Sequence, residues 1–157
     1  MATIHCMCGY IGFGKTTIAK KLETQYTAQR FTPDEIMVQL YGTDVDVDFM
    51  DKAEQVNAYI WAQIEERLQN NQDVIYDAGS WSIEDRKYVM KMAKKLKSDV
   101  VWHQVQCRFE TAKKRTLNRA LNQNELAIDG AFFDKNLEKY VPITKDEHLN
   151  VIYHKGE

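Results

Sequence analysis

The sequence predicts a doubly wound α/β domain with a parallel sheet, and three observations carry that expectation. Short apolar runs recur along the chain, as strands covered on both faces require. Stretches with apolar residues every three or four positions lie between them, so strands and helices alternate. The first run breaks at a glycine-rich turn that opens directly into a helix, Gly9-Tyr10-Ile11-Gly12-Phe13-Gly14-Lys15-Thr16.

Residues 2–8, ATIHCMC, form the first strand, which stops at Gly9. From residue 15 to about 26, Ile18, Ala19 and Leu22 share one face while Lys20, Lys21 and Glu23 take the other, which predicts an amphipathic helix. Thr32-Pro33-Asp34-Glu35 is a helix start: Thr32 can cap, Pro33 suits the first helical position and Glu35 stands where a capping box needs it. That helix should end near Tyr41, before Gly42. A longer helix, about 49–70, repeats Val56, Ile60, Ile64 and Leu68, and Trp61 widens its apolar face. DVIYD, residues 73–77, reads as a second buried strand. Ser82, with Asp85 three positions on, opens a helix running through Val89, Met92, Ala93 and Leu96 to about residue 97. DVVWHQVQC, 99–107, is the third strand; helices at about 110–121 and 129–140 and a last strand, LNVIYH at 149–154, complete the chain.

With 157 residues, 44% hydrophobic and 28% charged, the chain suits one domain over 1–157. Seven Gly, two Pro and 11% aromatics exclude collagen-like and disordered classes. The apolar runs are too short to span a bilayer, and MATIHCMCGY lacks the basic and apolar regions of a signal peptide, so a cytoplasmic location is expected. A net charge of -2 leaves no bulk positive field for gripping nucleic acid. Cys6, Cys8 and Cys107 are odd in number and lack CxxC spacing, which favours reduced, buried thiols.

The turn after the first strand matches GxxxxGK[ST] at every fixed position. Glycines let the backbone curl so that its amides point at phosphate oxygens, and the helix that starts there adds its positive end. The candidate nucleotide-binding residues are therefore Gly9, Ile11, Gly12, Phe13, Gly14, Lys15, Thr16 and Thr17, with Lys15 bridging the outer phosphates. Thr16 offers a hydroxyl to Mg²⁺, a hard cation that prefers oxygen. Asp77, ending a buried strand at the same sheet edge, is placed to hold Mg²⁺ through water.

Such a loop identifies nucleotide binding and leaves the reaction open. Asp34, at the start of the second helix, is expected at the edge where doubly wound folds place ligands, and can take a proton from an alcohol acceptor. Arg115 and Arg119 lie one helical turn apart, ahead of the poorly patterned segment 122–130, and look like a lid that clamps a transferring phosphate. Trp81 is a candidate wall for the acceptor. Residues 34–54 hold seven acids against one base, whereas 86–119 hold eleven bases against two acids. An acidic stretch lining the acceptor pocket would repel polyanions and favour neutral or cationic acceptors. The Asp44-x-Asp46-x-Asp48 spacing hints at a calcium loop, but Phe49 and Gln55 stand where that loop needs Gly and Glu. The four histidines, two of them (His5 and His103) within strand patterns, read as structural or surface groups.

Taken together, GYIGFGKTT, FTPDEIMVQLYG, VIYDAGSWSIEDRKYVMKMAKKL and KKRTLNRAL resemble the P-loop kinase family that includes polynucleotide 5′-kinase, chloramphenicol phosphotransferase and the zeta toxins. The likeness spans nearly the whole chain and is nearest to the small bacterial AAA-type ATP-binding proteins of that group. It implies a three-layer P-loop NTPase fold with a mostly parallel five-stranded sheet and a short helical lid over about 115–141. It also implies ATP- and Mg²⁺-dependent transfer of a γ-phosphate to a hydroxyl, with Asp34 as general base and Arg115 and Arg119 as lid arginines. Arg86 resembles the arginine that follows the third-strand motif, on the substrate side. Polynucleotide kinases carry an acceptor-holding arginine where this sequence has Met37, which points to a small-molecule acceptor rather than a nucleic-acid end. The alternatives are a polynucleotide 5′-hydroxyl kinase and a toxin-like nucleotide-binding regulator with little turnover.

Overall fold

The computed structural model describes residues 2–43, 47–121 and 128–156. Asp44 and Asp46 of the acidic stretch, and residues 122–127 of the expected lid, lie outside the described residues. Five strands form one parallel sheet: β1 (Thr3–Cys8), β2 (Gln29–Phe31), β3 (Val74–Tyr76), β4 (Asp99–Gln106) and β5 (Val151–Lys155), in the order β2-β3-β1-β4-β5. The residues alone indicate four of these. Gln29–Phe31 is missed because three residues with only Phe31 buried are too few to show a periodicity.

Helices α1 (Lys15–Tyr26), α2 (Pro33–Tyr41), α3 (Phe49–Gln69), α4 (Ile83–Lys95), α5 (Phe109–Arg119) and α6 (Gly130–Asn136) cover both faces. Alternation along the strands divides the core. Ile4, Cys6, Val74, Tyr76 and Trp102 meet Val56, Ile60 and Ile64 of α3 and Val89 and Ala93 of α4. Met7, Ile75 and Val105 face Ala19 and Leu22 of α1, Ala112 of α5 and Phe133 of α6. Burial of this kind stabilises each large aliphatic or aromatic side chain by about 1.5–3 kcal/mol, which outweighs the modest propensity of short helices. The single helix expected over 129–140 stops at Asn136 and continues as a 3-10 turn at Leu137–Lys139.

The thiols are free, with Cys6 and Cys8 buried and Cys107 only half-buried. His5, His103 and His154 form a chain across three strands: His5 Nδ1 lies 3.1 Å from His103 Nε2, and His103 Nδ1 lies 2.8 Å from His154 Nε2. Among the described residues no helix is long and apolar enough to cross a membrane.

Candidate active site

The connection after β1 leads to β2 on one side of the sheet, while that after β3 crosses over β1 to β4. This is the reversal at which open α/β sheets bind ligands. The two loops are laced together there, since the Gly9 amide donates to the Gly79 carbonyl at 3.1 Å. Within the phosphate loop, Gly12 and Gly14 have φ of 77° and 92°, the left-handed region that favours glycine. A Cβ on Gly12 would stand 2.3 Å from the Ala112 carbonyl oxygen, so the loop is pressed onto α5 at that point. Positions between the glycines anchor the loop from the other side. Tyr10 and Phe13 are buried and pack against the rings of Phe109 and Tyr140, and the Tyr10 hydroxyl donates to the Phe133 carbonyl.

Lys15 opens α1 and its Nζ donates to the Tyr10 carbonyl at 3.1 Å. One residue on, Thr16 Oγ1 donates to Asp77 Oδ2 at 2.7 Å, and Thr32 Oγ1 donates to the same oxygen at 2.8 Å. Asp77 is 3% exposed, and its Oδ1 is buried with no hydrogen-bond partner. An orphaned buried carboxylate oxygen costs free energy until a cation or an ordered water meets it. A threonine hydroxyl and a carboxylate, both hard oxygen donors, thus converge, and this donor set fits Mg²⁺. Among the described residues no three His, Cys, Asp or Glu cluster to hold a metal. The fit is therefore to an ion that keeps most of its waters.

The start of α2 departs from the expected capping box. Thr32 makes no side-chain cap because its hydroxyl goes to Asp77, and Glu35 pairs instead with Arg30 Nη1 at 2.8 Å. Asp34 lines the same cleft as Lys15 and Thr16. Its side chain is reached by solvent from the cleft, yet the surrounding protein withholds enough water to push its carboxyl above the ordinary value. Lys15 and Arg119 pull it back down, and Asp77 adds to the rise. Lys15 shows the counterpart: burial lowers its ammonium, while Asp77 and Asp34 raise it. Lys15 and Asp34 thus feel each other together with the Asp77 and Arg119 charges, which places the four groups in one electrostatic site.

The two lid arginines divide. Arg119 is exposed at the cleft and acts on both Lys15 and Asp34. Arg115, one turn earlier, gives Nη1 to the Gly156 carbonyl at 2.6 Å and to the Gly12 carbonyl at 3.3 Å, so it buttresses the phosphate loop. Trp81 lines the cleft and also packs on Tyr10, with ring centroids 4.9 Å apart, joining wall and core in one side chain.

Arg86 lies away from the cleft, in an ion pair. It is 1% exposed and absent from the cleft lining. Nε and Nη2 reach the two Glu147 oxygens at 2.7 and 2.9 Å, and Nη1 donates to the Ser80 and Val141 carbonyls at 2.8 Å. A planar guanidinium with five donors suits such a clamp, and its hydrogen bonds hold the Glu147 carboxyl below the usual range. Met37 too is in the core, 4% exposed, while α2 turns Asp34, Glu35 and Val38 to the cleft. Position 37 therefore says nothing direct about the acceptor.

The cleft measures about 1330 Å³ and extends past Asp34 to Glu54, the last acid of the 34–54 stretch, and to residues that the sequence did not single out for the site: Asn57 of α3, Tyr76 of β3, and Asp85 and Tyr88 of α4. Tyr76 Oη donates to Asn57 Oδ1 at 2.8 Å, and Asn57 Nδ2 donates to Tyr88 Oη at 3.4 Å. Their only sequence signal is a polar residue interrupting an apolar helical stripe.

Comparison with known proteins agrees with this architecture. Residues 4–143 match the family described as AAA domain. A Chloroflexus aurantiacus protein provisionally assigned as a kinase superposes with a TM-score of 0.77 at 14% identity, over 98% of this chain and 85% of that one. Kti12 of Chaetomium thermophilum, solved with ADP-AlF3, gives 0.72 at 15% identity, over 97% and 87%. A chain of the Pnkp1/Rnl/Hen1 RNA repair complex gives 0.73 at 20% identity, over 90% of this chain and 48% of that one. No curated protein matches by sequence. Matched over most of its length, and with a P-loop between the first strand and helix of a parallel sheet, the chain belongs to the AAA domain family, within the P-loop kinases that its motifs resemble.

Proposed function

We propose that the protein is an ATP-dependent kinase that transfers the γ-phosphoryl group to a hydroxyl of a small-molecule acceptor. The observation that supports this most directly is that Asp34, which opens α2, lines the same cleft as Lys15 and Thr16 of the phosphate loop, with Thr16 and the Thr32 that precedes α2 both donating to Asp77. Asp34 orients the acceptor hydroxyl and takes its proton as the new bond forms. Lys15 and the amides at the start of α1 hold the phosphates, whose charge the helix end favours. Arg119 faces the developing charge, and Arg115 keeps the loop in shape. Thr16 and Asp77 would hold Mg²⁺, which when bound neutralises phosphate charge. Catalysis is then mainly positioning and charge neutralisation in a walled cleft.

The test is a γ-labelled ATP transfer screen across nucleosides, sugars, aminoglycosides and oligonucleotide 5′ ends. Asp34→Ala should lower transfer by about 10²–10⁴-fold and leave ATP affinity within about twofold. Lys15→Ala should weaken ATP binding itself. Transfer that survives Asp34→Ala would sink the mechanism, and unchanged ATP affinity in Lys15→Ala would sink the loop assignment.

A further inference from the structure

Charge is segregated across the cleft. Its lining cations, Lys15, Lys20, Lys21, Arg115, Arg119 and Lys155, come from α1, α5 and β5. Its lining carboxylates, Asp34, Glu35, Glu54, Asp77 and Asp85, come from α2, α3, the end of β3 and the start of α4. The basic half adjoins the phosphate loop, so the acidic half is left for the acceptor. The residues outside the described set, 1, 44–46, 122–127 and 157, include no Lys or Arg.

Three of the five carboxylates are accounted for. Asp77 holds Thr16 and Thr32, Glu35 is paired with Arg30, and Asp34 shares the cleft with Lys15 as the group for the acceptor hydroxyl. Glu54 and Asp85 have no cationic partner among the described residues; Asp85 spends one oxygen on the Ser82 amide at 3.4 Å. One helical turn on from Glu54 in α3 and from Asp85 in α4 are Asn57 and Tyr88 of the Tyr76–Asn57–Tyr88 chain, in which Tyr88 Oη accepts from Asn57 and keeps its own proton for a ligand. The rings of Tyr76, Tyr88 and Trp81 line the same space. Aromatic faces attract cations, and carboxylates in a walled cleft concentrate them, whereas a phosphorylated or carboxylated acceptor would meet no cation on this side.

Resting on the kinase reading above, we infer that the acceptor is a small hydroxyl-bearing organic cation, an amino alcohol or amino sugar in its protonated form. Its ammonium sits between Glu54 and Asp85 against the tyrosine rings, and its hydroxyl points at Asp34. In the transfer the hydroxyl oxygen bonds to the γ-phosphorus, the bond from that phosphorus to the bridging oxygen of the leaving ADP breaks, and the hydroxyl proton passes to Asp34. The cleft, at about 1330 Å³ for nucleotide and acceptor together, leaves room for an acceptor of sugar size.

The experiment uses the full chain with γ-labelled ATP and Mg²⁺ on matched sets: amino alcohols and amino sugars, their N-acetyl derivatives, hydroxy acids of the same size, and a 5′-hydroxyl oligonucleotide. Acetylation removes the charge and keeps the hydroxyls. The expected result is transfer to a member of the first set, with kcat/KM lower by about tenfold or more after acetylation, the loss of one charge-assisted contact. Glu54→Gln should raise KM for that compound about tenfold with kcat within twofold, and Glu54→Asp should recover part of the loss. Equal or better transfer to the acetylated, anionic or oligonucleotide sets overturns the inference and leaves the kinase reading standing. No transfer to any set overturns it as well, and the Lys15 and Asp34 binding measurements then judge the kinase reading separately.

Discussion

The Thr16 hydroxyl donates to Asp77 Oδ2 at 2.7 Å, joining the first turn of α1 to the residue that follows β3. Because Thr32 donates to the same oxygen, the phosphate loop and the helix that carries Asp34 are both hung on one buried carboxylate. The other oxygen of that carboxylate has no partner, so the group that sets the geometry also offers the vacant hard ligand. Structure and metal affinity are therefore coupled in a single side chain.

Asp77→Asn separates the two contributions. The amide keeps the shape and its oxygen can still accept both hydroxyl bonds, but it loses the charge that a divalent cation needs. Nucleotide affinity measured with a fluorescent ADP analogue should change little in EDTA, while the gain on adding Mg²⁺ should shrink by about 10–100-fold. An equal loss with and without Mg²⁺ would show that Asp77 serves the loop's shape alone.

Arg86 and Glu147 form a bidentate pair in which the arginine is 1% exposed. Removing one partner strands the other charge without compensation, so Arg86→Ala should cost about 3–5 kcal/mol in urea unfolding, and Arg86→Met less, because it fills the space. A substrate-binding arginine would give the opposite pattern, an unmoved unfolding midpoint with impaired turnover.

Much of this was legible in the sequence, and what was not has identifiable causes. The phosphate loop could be read because its glycines answer a local backbone demand, φ of 77° at Gly12 and 92° at Gly14. Helices α1, α3 and α4 could be read because each has an apolar stripe, and α2 because Thr32-Pro33 marks its start. Thr32 and Glu35 have the right spacing for a capping box, but Asp77 and Arg30, distant or outside the motif, compete for them and win. Arg86 looked like a substrate group because the carboxylate that pairs with it lies 61 positions away, in a 3-10 turn too short to show a periodicity. The Asn57 and Tyr88 side of the cleft depends on how α3 and α4 are turned about their axes, a property of packing rather than spacing.

Gly12 and Gly42 provide a paired test of the loop. Both have positive φ, 77° and 86°, but a Cβ at Gly12 meets the Ala112 carbonyl at 2.3 Å, whereas nothing lies within 4 Å of one at Gly42. Each alanine should carry backbone strain of about 1–3 kcal/mol. Only Gly12→Ala should also displace the phosphate loop from α5 and weaken ATP binding by about tenfold or more; calorimetric titration of the two variants checks this, and equal ATP affinities would contradict the contact argument.

The histidine chain makes stability depend on pH, with a definite sign. Burial lowers all three rings, His103 furthest, from an ordinary 6.5 to about 4, with His5 and His154 opposing its charge. Asp73, 3.4 Å from His5 Nε2, works against the shift of His5 alone, so its protonation is the easiest of the first two. In the folded protein His103 stays neutral, while below 6.5 the unfolded chain takes up the proton. Its contribution is therefore complete above pH 6.5 and is lost progressively as pH falls toward 4. Urea midpoints measured across that window should decline steadily, and His103→Gln, which cannot charge, should flatten the decline even if it lowers the midpoint at pH 7. A wild-type midpoint unchanged from pH 7 to pH 5 would remove the basis for this linkage.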